Sequence, residues 1–208
     1  MPSNATADAI LTALRAMAPP RVAVGVREIS DWPMFPVECE HANAAPPRRR
    51  FEFASGRALL RDLMGMDVPI PVGRDRAPVL PPDVCGSLAH DEFFVVAAVG
   101  RTSDFRSIGI DIEPVEPLDD EIAEVIVRSD EGGIDAHLAF TLKEAAYKAW
   151  SGLGGGMLEH HDVRVSTSTP LFRAEIVTAQ TTLDGTFATV GGRWLALVVV
   201  NNSLSAID

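Results

Sequence analysis

The chain has 208 residues, 47% of them hydrophobic and 23% charged, with a formal net charge of −11. That is the composition of an ordinary globular protein, long enough for one sizeable core or two small lobes. The acidity argues against a general nucleic-acid binder, and the absence of an apolar run of spanning length argues against a helical membrane protein.

The charge is unevenly spread. Residues 1–76 hold ten Lys/Arg and nine Asp/Glu, while residues 77–208 hold eight and twenty. Met1 to Asp8 lack a basic region, and Ile10 to Met17 reads as a short amphipathic helix rather than an export signal. With two cysteines, Cys39 and Cys85, and no such signal, free thiols in a reducing cytoplasm are expected.

In chain order, a helix is expected over residues 1–18, ended by Pro19-Pro20. Val22, Val24 and Val26 alternate, which predicts a strand over Arg21 to Ile29. Trp32 to Pro47 is irregular, with a short helix around Val37 to Ala45. Arg48 to Met64 reads as a helix ended by Gly65, with Arg50, Arg57 and Arg61 on one broad side. Ile70 to Pro82 is rich in proline and carries Arg74 and Arg76. Val84 to His90 leads into Phe93 to Val99, a continuous apolar run and so a buried strand. A polar turn over Gly100 to Arg106 predicts a hairpin between that run and the next strand. Leu118 to Val127 reads as an acidic amphipathic helix and residues 128–138 as a loop. Four further antiparallel strands are expected around Val163–Val165, Phe172–Val177, Phe187–Val190 and Trp194–Val200. Their turns fall at Thr169-Pro170, Asp184-Gly185 and Gly191-Gly192.

Two segments carry chemistry. In Ser107 to Glu113, Ile108, Ile110 and Ile112 share one strand face, and Asp111 and Glu113 the other. Adjacent carboxylates on one face repel. Either solvent screens them or a cation does, and Mg²⁺ needs only one or two carboxylates plus substrate phosphates. In Phe140 to Trp150, Leu142, Ala145, Ala146 and Ala149 form an apolar stripe, and Glu144 and Lys148 share a face. Thr141 with Glu144 fits a capping box and Glu144 with Lys148 a helix ion pair. Equally, Glu144 can serve as a third acid and Lys148 as a phosphate contact.

Together, Gly109-Ile110-Asp111-Ile112-Glu113 and Lys143-Glu144-Ala145-Ala146-Tyr147-Lys148 resemble the signature of the 4′-phosphopantetheinyl transferases. Gly86-Ser87-Leu88-Ala89-His90 and the arginine stretch from Arg49 through Arg57 to Arg61 resemble two upstream motifs of that family. The nearest resemblance is to the monomeric, two-lobed branch that includes the enterobactin-synthase component D type. It implies an α+β fold of two similar lobes related by a pseudo-twofold, with the active site in the cleft. The lobes would be residues 1–103, binding coenzyme A, and 104–208, binding Mg²⁺.

The implied reaction moves 4′-phosphopantetheine from coenzyme A to a serine of an apo acyl, peptidyl or aryl carrier protein and releases 3′,5′-ADP. The resemblance implies Mg²⁺ on Asp111, Glu113 and Glu144, with Glu144, directly or through a water, as base. Lys148 and Lys143 would meet the leaving phosphate. Arg49, Arg50, Arg57, Ser87 and His90 would hold the coenzyme, with Arg74 or Arg76 facing a phosphate. Two other readings use the same residues: an Mg²⁺-dependent pyrophosphate hydrolase acting on a coenzyme A-like nucleotide, and a non-catalytic coenzyme A-binding module. Siderophore or other secondary-metabolite biosynthesis would suit the transferase. Gly152 to Gly156 lacks the Lys-Ser/Thr of a P-loop.

Overall fold

In the computed structural model, residues 4–43, 45–73 and 76–202 are described. Arg74 lies outside them. The helices are α1 (Asn4–Met17), α2 (Pro36–Ala42), α3 (Pro47–Met64), α4 (Asp120–Ile126) and α5 (Ala136–Gly152). The strands are β1 (Ala23–Glu28), β2 (Val84–His90), β3 (Phe94–Arg101), β4 (Phe105–Pro114), β5 (Val163–Ser168), β6 (Leu171–Ile176), β7 (Thr181–Val190) and β8 (Arg193–Asn201). They form two antiparallel sheets, ordered β1-β3-β2 and β4-β8-β7-β6-β5. This is the expected α+β architecture of two lobes.

Both faces of β3 are buried, as its unbroken apolar run requires. Val95, Ala97 and Val99 pack with Leu59 and Leu60 of α3. Phe94, Val96 and Ala98 face the other way, into a cluster with Ile10 and Leu14 of α1 and Ile108, Ile110 and Ile112 of β4. That middle layer also takes Leu195 and Leu197 of β8, so the two sheets share a core. On the far face of the second sheet, Leu142, Ala145, Ala146 and Ala149 of α5 pack with Phe172, Ala174, Ile176, Ala196 and Val198.

Three local expectations are corrected. β3 and β4 form no hairpin: β3 already has β1 and β2 on its two edges, and β4 pairs with β8 in the other sheet. Asp184-Gly185 is not a turn but part of β7, where Gly185 stands opposite Phe172. The Phe172 ring fills the space a side chain at 185 would need. The helix that carries Glu144 and Lys148 starts at Ala136, capped by Asp135 accepting from Leu138 N at 2.9 Å. Thr141 therefore sits inside α5 and donates to His137 O at 2.8 Å rather than forming a capping box.

Candidate active site

The site begins where β4 meets α5. A Cβ at Gly109 would collide with the backbone of Ala145 and Ala149, so helix and strand touch main chain to main chain. Ser107 Oγ donates to Ala149 O at 2.7 Å and fixes the crossing. Next to Ala149 on α5, Lys148 reaches β4 and donates to Asp111 Oδ1 at 2.6 Å and Ile110 O at 3.2 Å. The Glu144–Lys148 helix pair is not what forms; Asp111 takes the ammonium.

β4 is not half-exposed. Asp111 is 3% exposed, and burial pushes its carboxyl up to about 6 although Lys148 pulls the other way. Its Oδ2 is buried without a hydrogen-bond partner. Glu113 is pushed up to about 8, first by burial and then by Asp111, with Asp91 and Glu144 adding to the repulsion. Glu144 is half-buried, and its charge acts on both strand carboxylates. Among the described residues no three His, Cys, Asp or Glu side chains are grouped so that they could hold a metal ion by themselves. An oxygen-only set with one orphaned buried atom nevertheless suits a hard cation that completes its shell with phosphate and water.

Glu113 makes stability depend on pH when no divalent cation is added. Its folded pKa lies above the ordinary 4.5, so the folded protein binds the extra proton between about 4.5 and about 8. The stabilisation is fully present below 4.5 and is lost as pH rises through about 8. The melting temperature of the metal-free protein should therefore fall from pH 5.5 to pH 8.5. Glu113→Gln should flatten that slope; an unchanged slope in the variant would remove Glu113 from the account.

A basic wall on the first lobe reaches the same cavity as Lys148. Arg49 donates to His90 Nε2 at 2.6 Å and to Glu52 at 2.9 Å. Burial and Arg49 both hold the imidazole below its usual pKa, Glu52 opposing, so His90 is a neutral acceptor in this arrangement. Arg57 is buried, donates to Ile70 O at 2.8 Å and lies over the Phe53 ring. Its burial lowers the guanidinium to about 10.

Arg57, Arg76 and Leu88 line both a cavity of about 620 Å³ and a smaller one of about 90 Å³. The larger also takes in Ser87, Tyr147 and Lys148, and the smaller Arg49, Glu52 and His90. A third cavity, of about 810 Å³, lies away from these acids, around Arg27, Trp32 and Arg61.

Two expected residues stand apart. Arg50 is exposed and lines neither adjoining cavity. Lys143 is 2% exposed and donates to Glu131 at 2.8 Å, Ile126 O at 2.7 Å and His160 O at 3.1 Å. All its donors point into protein, away from the cavity, so it is no phosphate contact here. Conversely, His137, to which sequence reading gave no role, places Nε2 3.4 Å from Glu113 Oε2 while Nδ1 donates to Glu116 O at 2.8 Å. The signal was available: His137 lies seven residues, two turns, before Glu144.

Acids on a buried strand, a lysine on the crossing helix and an arginine-lined cavity beside them define a class that handles a phosphorylated, nucleotide-like ligand. Comparison with known proteins narrows it. Residues 38–100 match the family model described as the 4′-phosphopantetheinyl transferase N-terminal domain. The chain is 34% identical over 178 residues to the 4′-phosphopantetheinyl transferase Svp of Streptomyces mobaraensis, covering 78% of this chain and 70% of that one. It is 30% identical to Npt of Nocardia iowensis, over 71% and 78% of the two chains. With PptT of Mycobacterium tuberculosis the identity is 32%, over 71% and 74%; both of these carry the same transferase name. The chain belongs to the 4′-phosphopantetheinyl transferase family. Both cysteines are free, and no helix among the described residues is long and apolar enough to cross a membrane.

Proposed function

We propose that this protein transfers 4′-phosphopantetheine from coenzyme A to a serine of an apo acyl, peptidyl or aryl carrier protein in the cytoplasm, acting as a monomer. The observation that carries the reading is Asp111: a buried carboxylate, paired on one oxygen with Lys148 and orphaned on the other, beside the arginine-lined cavity. Residues 1–103 supply the basic wall and residues 104–208 the acids.

The coenzyme's phosphorylated adenosine end would meet Arg49, Arg57 and Arg76, whose guanidinium forks match phosphate oxygens, with His90 bonded to Arg49 behind them. The pyrophosphate would extend past Ser87 to Lys148. Asp111, Glu113 and Glu144 would hold Mg²⁺, which when bound neutralises charge on the pyrophosphate. Glu144 would take the proton of the carrier serine as its oxygen attacks the β-phosphorus. The bond from that phosphorus to the bridging oxygen breaks, and 3′,5′-ADP leaves with Lys148 beside the new negative charge. A siderophore or other secondary-metabolite pathway would be a fitting setting.

Intact-mass spectrometry of several apo carriers, incubated with the protein, coenzyme A and Mg²⁺, tests the reading. A Mg²⁺-dependent gain of one phosphopantetheine on a carrier is expected. Phosphate-bond cleavage of coenzyme A with no carrier present would favour the hydrolase instead.

A further inference from the structure

The ion pair Asp91–Arg193 joins the two lobes beside the site. Asp91 follows His90 directly, in the β2–β3 connection. Its Oδ1 accepts from Phe93 N at 2.6 Å and Phe94 N at 2.7 Å, which shapes that turn. Its Oδ2 accepts from Arg193 Nε across 102 residues of chain. Arg193 opens β8, stands in register with Pro114 next to Glu113, and also donates to Gly191 O at 2.8 Å. Its guanidinium lies 4.8 Å from the Phe94 ring centroid.

Both side chains are largely buried, Asp91 at 3% and Arg193 at 12% exposed. The pairs Glu38–Arg61, Glu131–Lys143 and Asp111–Lys148 each stay within one sheet and its helices. Asp91–Arg193 instead locks the turn after His90 to the strand beside Glu113, and Asp91 is close enough to Glu113 to act on its charge.

We infer that Asp91 and Arg193 are positioning residues that set the span between the phosphate-holding wall and the acids of β4, so that one pyrophosphate is gripped from both lobes at once. The inference rests on the transferase reading above. It separates two properties. Binding of the adenosine end needs the first lobe alone. Transfer, and the gain in coenzyme affinity that Mg²⁺ brings, need both lobes in register. Misplacement by about 1 Å can lower a rate about 100-fold.

The test uses the full chain carrying Arg193→Met and, separately, Asp91→Asn, which keeps an oxygen for Phe93 N and Phe94 N while removing the charge. Transfer kinetics on the best carrier from the mass-spectrometric panel are compared with calorimetric coenzyme A affinity, with and without Mg²⁺. In both variants kcat should fall about 10- to 100-fold. The Mg²⁺-dependent gain in affinity should shrink, while Mg²⁺-free affinity stays within about twofold of the unaltered protein. Arg193→Lys should recover most of kcat by restoring the charge. Unchanged kcat in Asp91→Asn, or a parallel fall of kcat, Mg²⁺-free affinity and melting temperature in both variants, would overturn the inference by making the pair a plain structural tie. No transfer and no Mg²⁺ effect in the unaltered protein would instead overturn the functional reading, and this inference with it.

Discussion

Asp111→Ala should abolish transfer while the protein stays folded. The aspartate is the most buried of the three acids and is in direct contact with Lys148. Removing it takes away the oxygen set's centre and releases the lysine. If the site supplies several kcal/mol of charge neutralisation, kcat falls roughly 1,000-fold or more. Stability should not fall with it. Burial holds the carboxyl at about 6 against the pull of Lys148, so the folded protein strains to keep that charge. Lys148, at 27% side-chain exposure, can hydrate once its partner is gone. A melting temperature equal to or above that of the parent is expected, alongside an unchanged far-UV spectrum. Measurable transfer by this variant would sink the assignment of the acids.

Lys143→Met should do the reverse and damage the fold first. The side chains of Lys143 and Glu131 are 1% and 0% exposed. Glu131 also accepts from Arg128 N at 2.8 Å and Val165 N at 2.5 Å, so this carboxylate ties the loop before α5 and the start of β5 to the helix. Methionine keeps the stem but strands the carboxylate. Breaking one side of a buried pair costs about 3–5 kcal/mol, which for a chain of this size lowers the melting temperature by roughly 10 °C. The double change Lys143→Met with Glu131→Gln should recover part of that loss, because no uncompensated charge remains. If Lys143→Met instead weakened coenzyme A binding with the melting temperature intact, the lysine would be a phosphate contact after all.

That contrast shows what could be read from residue order. Alternation located β4, an unbroken apolar run located β3, and helical spacing located α3 and α5, because each pattern's apolar residues are buried. The pairing of Asp111 with Lys148, by contrast, depends on a helix crossing a strand at Gly109. No local pattern distinguishes this from a Glu144–Lys148 pair on one helix. Lys143 and Lys148 look alike in sequence. Their roles diverge because a rotation of about 140° around the helix sends one toward Glu131 and the other toward the cleft. Asp184-Gly185 carries a strong turn signal, yet Phe172 on the next strand needed the empty space and kept the glycine in β7. Asp91, His137 and Arg193 were not singled out because each acts through a partner at least twenty residues away in the chain or in another element.

The main-chain contact at Gly109 also bears on motion. With backbone against backbone, and Ser107 bonded to Ala149, β4 and α5 have no side-chain cushion on which to slide. Asp111, Glu113, Glu144 and Lys148 therefore travel as one rigid body. With Asp91–Arg193 tying the first sheet to β8, any opening of the cleft has to come from elsewhere, such as the glycine-rich segment after α5. On the proposed function, that rigidity would hold the four side chains in one geometry from one turnover to the next.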